Sequence, residues 1–154
     1  MREIPLGHSH DFASYRRCPC VVVFHIIRVL YIQVKFLDLT LPQYWLPRYD
    51  WVLSTEVLEH IPAQYETVVL DNIDRAAGHG VVLSWAAPRQ PGFYHVNNRP
   101  PAYVNQAMFD REFIMDQNAS FVLRARATNP NLKNNVRVYI RLSELQNRTV
   151  HFDN

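Results

Sequence analysis

An apolar segment, an amphipathic stretch and a second apolar segment constrain the fold of this 154-residue chain more than any other feature. Tyr49–Ser54 and residues 81–85 lack polar alternation, which is typical of parallel strands covered on both faces. Between them, Pro62 suits the first turn of a helix, which Gly78 and Gly80 are expected to end. Its apolar face comprises Tyr65, Val68, Val69, Ile73 and Ala76. Strand, helix and strand predict one right-handed crossover unit.

The second half of the chain predicts a loop, a helix and a terminal strand pair. Residues 88–101 contain four prolines, so we expect a loop there. Residues 101–112 predict a helix with an inner face of Val104, Ala107 and Met108. Residues 121–127 and 136–141 alternate in polarity, which predicts an antiparallel pair joined by residues 129–131. Its solvated face would hold Arg124, Arg126, Arg137 and Arg141. The fold class is α/β, with a mostly parallel sheet and an antiparallel C-terminal hairpin.

Length and composition predict a single domain with a substantial core. Hydrophobic residues make up 48% of the chain and charged residues 19%, which is typical of globular rather than disordered proteins. We expect residues 1–20 to form a poorly ordered lead-in. Residues 21–142 are expected to form the domain, beginning with an apolar strand, and residues 143–154 a polar tail.

Charge, glycine content and hydropathy exclude several functional classes. Sixteen basic and fourteen acidic residues give a net charge of +2, so no broad basic surface for nucleic acid is predicted. Four glycines permit neither a dinucleotide-binding glycine motif nor a phosphate-binding P-loop. The apolar residues 21–30 are too few to span a membrane. We therefore predict a cytoplasmic protein without nucleic-acid or membrane partners.

Two closely spaced cysteines, Cys18 and Cys20, are predicted to be reduced thiols. A bridge between them would be strained, because only one residue separates them. A metal clip formed with His8, His10 or His25 is left open, since no ligand spacing defines it. No metal site is assigned from the sequence.

Three segment ends are the places where a ligand is expected. In open α/β sheets, ligands bind beyond the carboxyl ends of the strands. Asp38 ends an apolar segment, residues 54–62 follow the first strand of the crossover unit, and residues 86–98 follow its second strand. We expect these three ends to meet at one hollow.

These segments carry a resemblance to a known family. Residues 56–62 read E-V-L-E-H-I-P, and residues 80–88 read G-V-V-L-S-W-A-A-P. The second segment is followed by Gln90, Gly92, His95, Val96 and Asn97. In order and spacing the chain resembles the class I S-adenosylmethionine-dependent methyltransferases, over about residues 34–141. The resemblance implies part of a Rossmann-like methyltransferase sheet.

The resemblance also implies a cofactor, an acceptor and their residues. It implies methyl transfer from S-adenosylmethionine to an unknown small-molecule or peptide acceptor. The positions assigned to the cofactor are Asp38, Leu39, Ser54, Thr55 and Glu56. The positions assigned to the acceptor are Trp85, Gln90, His95 and Asn97. His60 and His95 are assigned to catalysis, because a histidine with a pKa near ~6.5 can take the acceptor's proton.

Alternatives to these assignments remain open. Asp38 can close a turn before Thr40, Trp85 can be a core residue, and Glu59 and His60 can act in helix capping. The family's glycine-rich cofactor loop is not visible before Asp38. A truncated, catalytically inactive remnant that acts as a binding or scaffold domain is therefore the second functional hypothesis. It implies a partner or a homodimer that covers the incomplete sheet.

Overall fold

A four-stranded sheet with helices packed on it makes up the part of the chain that the computed structural model describes, residues 37–145. The strands are β1 (Tyr49–Ser54), β2 (Ala77–Leu83), β3 (Phe113–Asp116) and β4 (Arg137–Arg141). The helices are α1 (Glu66–Ala76), α2 (Pro101–Phe109), α3 (Gln117–Arg126) and α4 (Pro130–Asn135). Two short 3-10 turns, Leu58–His60 and Ala63–Tyr65, lie between β1 and α1. The predicted α/β class is confirmed.

The predicted crossover unit is present, with different boundaries. β1 and β2 pair in parallel, and α1 connects them. The strand begins at Ala77, so Gly78 and Gly80 lie inside β2 rather than at the end of the helix. Gly80 is needed there because a Cβ atom would lie 2.4 Å from the Trp51 ring and 2.6 Å from the carbonyl oxygen of Tyr139. This glycine inside a strand thus marks a place where the neighbouring strands approach closely.

The buried face of α1 is displaced from the predicted one. Val69, Ile73 and Ala76 are buried as expected, whereas Tyr65 precedes the helix and is exposed. Glu66, Leu70 and Asn72 are buried in addition. The helix packs on the sheet around a core whose largest fully buried side chains include Trp85, Tyr139 and Phe113.

The C-terminal half of the sheet is antiparallel, but one predicted strand is wrong. The strand order is β1-β2-β4-β3, and β4 pairs antiparallel with both β2 and β3. The described sheet therefore has one parallel and two antiparallel pairings. Residues 121–127, predicted as a strand, lie largely in α3. The Asp116 carboxylate accepts a hydrogen bond from the Ala119 amide and caps that helix.

Two arginines expected on a solvated hairpin face are buried. β4 lies between β2 and β3, so Arg137 and Arg141 are only 8% and 9% exposed. The Arg141 guanidinium donates to the Asp74 carboxylate and to the carbonyl oxygens of Ala77 and Gly78. The residues between Arg126 and β4 form the helix α4 instead of a hairpin turn. The alternation of arginines thus reflected a central strand with buried guanidinium groups, not a solvated edge.

The segment that enters the described region is held against α1 by one buried amide. The Asn72 side chain donates to the carbonyl oxygens of Leu39 (3.1 Å) and Leu41 (2.9 Å). Its oxygen accepts the Gln43 amide at 2.8 Å. Leu37 and Leu39 consequently belong to the core.

Several sequence predictions lie outside the described residues. These are the lead-in over residues 1–20, the apolar strand that begins at residue 21, the Cys18 and Cys20 thiols with their neighbouring histidines, and most of the tail. The domain limits accordingly stay predictions. Within residues 37–145, no helix is long and apolar enough to cross a membrane.

We expect Asn72→Ala to lower the free energy of unfolding by about 1–3 kcal/mol, because it leaves buried backbone groups without partners. Urea unfolding measures this loss. Hydrogen exchange at the Gln43 amide should accelerate, since that amide donates to the Asn72 side chain. Asp71→Asn is the neighbouring control, because Asp71 pairs with Arg111 instead. Unchanged exchange at Gln43 in Asn72→Ala would contradict this role.

Candidate functional site

The carboxyl ends of β1 and β2 lie at one edge of the sheet, because the two strands are parallel neighbours. The loops that follow them are joined by backbone hydrogen bonds. The carbonyl oxygen of Glu59 accepts the amides of Val96 (2.8 Å) and Asn97 (3.0 Å). Two of the three predicted segment ends therefore form one surface, which we call the polar edge (residues 54–60 and 84–98).

Glu56 connects the strand ends to the distant helix α4. Its backbone has a positive φ of 55°, and its amide donates to the Ser84 hydroxyl oxygen at 2.7 Å. That hydroxyl donates in turn to the Glu56 carboxylate at 2.8 Å. The side-chain amides of Asn131 and Asn135 donate to the same carboxylate at 3.2 and 3.4 Å. A carboxylate predicted to contact the cofactor thus also organises the loop around it.

Glu59 is the most unusual carboxyl group of the polar edge. Its side chain is fully buried, and neither oxygen has a hydrogen-bond partner of good geometry in the described part of the chain. Burial raises the pKa of Glu59 to about 7, and the negative charge of Glu56 adds to that shift. The nearby amides of Glu59 and Ala86 oppose the rise in pKa only in part. This carboxyl group therefore exchanges a proton near neutral pH, as general acids and bases do.

The two predicted catalytic histidines are brought together. The ring centroids of His60 and His95 are 5.0 Å apart, and the ring planes are nearly perpendicular at 75°. Nδ1 of His60 lies 3.3 Å from the carbonyl oxygen of Tyr94. Nδ1 of His95 is buried and has no hydrogen-bond partner among the residues that the structure describes. The backbone hydrogen bonds between the loops explain why residues 35 positions apart become neighbours.

A second carboxylate, Glu66, anchors the loop that carries His95. It accepts hydrogen bonds from the Asn97 amide at 3.0 Å, from Arg99 at 2.8 and 2.9 Å, and from the Tyr103 hydroxyl. Burial by itself would raise the pKa of Glu66, but these hydrogen bonds and the Arg99 charge outweigh it and lower the pKa below its ordinary value. The loop is therefore fixed by an ionised, well-paired group.

Trp85 and Asn97, predicted to contact the acceptor, have structural partners. Trp85 is 1% exposed, and its indole nitrogen donates to the Asn97 carbonyl oxygen at 2.6 Å. The Asn97 side chain donates to Glu66. Trp85 is therefore a core residue, as the alternative to an acceptor contact described it. Acceptor contacts by Trp85 and Asn97 stay predictions.

Asp38 takes the turn-closing position that its alternative described, and Leu39 lies in the core. The Asp38 carboxylate accepts the amide (2.9 Å) and the hydroxyl (2.6 Å) of Thr40, and so closes a turn. Leu39 is a core residue. The cofactor roles of these two residues stay predictions, and the third segment end is tied to α1 through Asn72.

Unpaired buried polar atoms in the described residues concentrate at the polar edge. They belong to Ser54, Glu59, Gln90, His95, Asn98 and Asn135. Native proteins leave few buried polar atoms without partners, so each such group calls for a ligand, a water molecule or a functional reason. Asn98 and Asn135 had no predicted role. Asn135 follows the β1 loop by some 80 positions, and only the proline-asparagine pattern before it marked a local turn.

An apolar cavity of about 370 Å³ lies between the sheet and the helices α3 and α4. Its wall includes Leu53 and Val82 from the strands and Leu123 and Leu132 from the helices. Thr55, which was assigned to the cofactor, also lines it. The cavity thus adjoins the carboxyl end of β1.

The chain resembles solved enzyme structures only at low sequence identity. No protein-family model and no curated protein matches it. Magnesium protoporphyrin IX methyltransferase from Synechocystis PCC 6803 with bound SAH matches at TM-score 0.48 and 17% identity, over 68% of this chain and 49% of that chain. The same enzyme with bound SAM matches at TM-score 0.47 and 18% identity, over 75% and 49%.

A third solved structure, described as a pericyclic reaction enzyme, matches at TM-score 0.41 and 12% identity, over 68% of this chain and 28% of that chain. The chain spans about half the length of the methyltransferase structures it matches. Methyltransferases are among the solved structures that the chain matches at these scores. Identities this low carry over neither an activity nor an acceptor.

We expect Glu66→Gln to lower the free energy of unfolding by about 1–3 kcal/mol at pH 7, because it removes the charge that pairs with Arg99. Since the folded-state pKa of Glu66 is lowered, its stabilisation is fully present above the ordinary carboxyl pKa. That stabilisation is lost as the pH falls through the lower folded value. Urea unfolding between pH 7 and acid conditions should show the two proteins converging.

Glu112→Gln is the control for this pH dependence. Glu112 is exposed and precedes β3, which is the last strand on the side of the sheet away from β1. Its replacement should change stability by a nearly constant, small amount over the same pH range. A stability difference between the parent chain and Glu66→Gln that persists undiminished in acid would contradict the assigned pairing.

Proposed function

We propose that this chain is a methyltransferase-like protein that binds S-adenosylmethionine and transfers its methyl group to a small-molecule or peptide acceptor. The observation that carries the proposal is the concentration of unpaired buried polar atoms at the carboxyl ends of β1 and β2. Ligands of open α/β sheets bind at this edge. The sequence segments that resemble the methyltransferases form the same edge.

The residues of the polar edge suit a cofactor with hydroxyl, amino and carboxylate groups. The buried Ser54 hydroxyl and the Gln90 side-chain nitrogen have no partner among residues 37–145, and both can hydrogen-bond to a ligand. Glu56 adds a carboxylate that is already held in place by Ser84. We assign these three residues to cofactor binding, together with the neighbouring Thr55.

The bound cofactor supplies a methyl group on a positively charged sulfur, so the protein needs mainly to align and to desolvate the reactants. His60 and His95 lie on the half-buried part of the polar edge. Either imidazole can accept the acceptor's proton as a general base. Glu59 beneath them, with its raised pKa, can exchange a proton with this pair. The loop bonds to Glu59 and Glu66 keep these groups aligned.

A binding or scaffold domain is the second candidate, and one observation favours it. β1 is an edge strand of the described sheet, and its Trp51 and Leu53 side chains are 48% and 39% exposed. The apolar cavity next to Leu53 extends this surface. Exposed apolar surface of this kind marks an interaction site. A homodimer or a partner protein at β1 would then replace the enzymatic role.

Titration with S-adenosylhomocysteine tests the proposed cofactor. We expect heat of binding and a raised melting temperature at millimolar ligand or below. Ser54→Ala should weaken binding about tenfold, the equivalent of one hydrogen bond. It should also leave the free protein as stable or more stable, because the removed hydroxyl has no partner. The two effects have opposite signs, which separates ligand contact from damage to the fold.

Ser120→Ala is the matched control for that titration. The Ser120 hydroxyl is also buried, but it accepts the Val138 amide at 2.9 Å away from the polar edge. Its removal should destabilise the protein and leave ligand affinity unchanged. If neither heat nor a thermal shift appears at millimolar ligand, cofactor binding is refuted.

Light scattering distinguishes the two candidates. The enzyme hypothesis expects the cofactor to bind whatever the oligomeric state, whereas the scaffold hypothesis expects association through β1. Trp51→Lys should dissociate such an assembly, because it places a charge on the exposed edge strand. A clean monomer that binds the cofactor would eliminate the scaffold hypothesis.

A further inference from the structure

Three metal-ligating side chains meet at the polar edge. Glu59, His60 and His95 each place one ligand atom so that all three atoms lie within 4.8 Å of one another. Glu59 is buried, whereas the two histidines are partly exposed. An ion can therefore reach the cluster from the solvent side, with the carboxylate beneath it. This grouping did not follow from the methyltransferase resemblance, which assigned both histidines to catalysis and His95 also to the acceptor, and assigned no metal ligand.

The unpaired polar atoms of the cluster favour a positive charge at its centre. Among residues 37–145, both oxygens of the fully buried Glu59 carboxylate and Nδ1 of His95 have no hydrogen-bond partner of good geometry. Buried ionisable groups are normally paired or bound to a metal, because an isolated buried charge is very costly. A cation between the carboxylate and the imidazole would give all three orphaned atoms a partner at once.

The His60 imidazole has the kind of hydrogen-bond acceptor beside it that commonly orients a metal-binding histidine. A ligating histidine almost always donates its other ring N–H to a carbonyl or carboxylate oxygen. The Tyr94 carbonyl oxygen, 3.3 Å from Nδ1 of His60, is such an acceptor. Tyr94 itself has a positive φ of 57°, an uncommon backbone conformation of the kind that persists at functional sites.

Gly92 makes room for the second imidazole. A Cβ atom at position 92 would lie 2.1 Å from Nε2 of His95. The ring therefore packs directly on the glycine backbone and turns Nδ1 toward the interior. The amides of Val96 and Asn97, bonded to the Glu59 carbonyl, fix the distance between the two loops.

We propose that Glu59, His60 and His95 bind one divalent first-row transition-metal ion. Two imidazoles and one carboxylate suit zinc or iron better than magnesium or calcium, which prefer oxygen ligands. Tetrahedral ligand atoms at about 2.0–2.1 Å from Zn²⁺ are about 3.4 Å apart. The three ligand atoms here lie within 4.8 Å of one another, so small side-chain rotations would bring them to the distances that zinc requires. Three protein ligands leave one position open for a water molecule or a substrate oxygen.

An ion at this position would act on whatever occupies the open coordination site. A bound metal lowers the pKa of a coordinated hydroxyl or water molecule to near neutrality. An acceptor hydroxyl bound there would lose its proton without a free histidine base. The metal proposal holds or fails independently of methyl transfer.

Zinc titration of the full chain, freed of metal with a chelator, tests the site. Cys18→Ser and Cys20→Ser are introduced into the parent protein so that the thiols do not compete. We expect calorimetry to show one zinc ion bound and the melting temperature to rise. Glu59→Gln and His95→Gln should each weaken zinc binding by more than about tenfold, since even partners outside the ligand set cost 10–100-fold. Gly92→Ala should weaken it by displacing the His95 ring.

His79→Gln is the matched control, because His79 lies beside Asp50 and Glu144 on another part of the surface. Its replacement should leave zinc binding unchanged. Glu59→Gln replaces a buried carboxyl group by a neutral isostere, so it should fold and keep the test valid. Equal zinc binding by the parent and Glu59→Gln, or no zinc binding by the parent, would overturn the proposal. An equal response to magnesium would overturn the assignment to a transition metal.

Discussion

The two hydrogen bonds that the carbonyl oxygen of Glu59 accepts from Val96 and Asn97 are the junction on which the candidate site depends. They join the loop after β1 to the loop after β2, so that residues far apart in the chain share one surface. The parallel pairing of the strands makes this junction possible, because it places both carboxyl ends at the same edge. Without these two hydrogen bonds, nothing in the local sequence would hold the His60 and His95 rings next to each other.

The polar edge carries an energetic cost that the rest of the fold offsets. Burying an unpaired polar group costs about 1–3 kcal/mol, and several such groups lie there. The fully paired Glu66 and the buried Trp85 stabilise the same loop from beneath. This contrast is typical of functional sites, where some buried polar groups stay unpaired and well-paired neighbouring residues stabilise the region. Glu59 and Glu66 are thus two buried carboxyl groups with opposite pKa shifts and different roles.

Sequence periodicity predicted the parallel half of the sheet well and the antiparallel half less well. Runs such as residues 81–85 lack polar alternation, which predicted burial on both faces. In β1 that prediction is wrong, because Trp51 and Leu53 are 48% and 39% exposed. Residues 121–127 alternate in polarity, but Asp116 caps a helix before them and the Ser120 hydroxyl binds β4. A capping interaction and a tertiary contact thus overrode a pattern that suits either structure in so short a segment. The arginines of β4 gave a wrong prediction for the same reason, since Arg141 is bonded to α1 and β2 and Arg137 to the Asn135 carbonyl oxygen.

The sequence by itself determined the crossover unit and the loops that end at the polar edge, because hydrophobic pattern, proline and glycine act locally along the chain. It also indicated His60 and His95 through the resemblance of their segments to methyltransferases. Only the tertiary structure decided that Glu59 is buried beneath them and that Asn135 reaches the same place. Burial and hydrogen-bond partners depend on residues distant in sequence, and no local pattern encodes which polar atoms will remain unpaired.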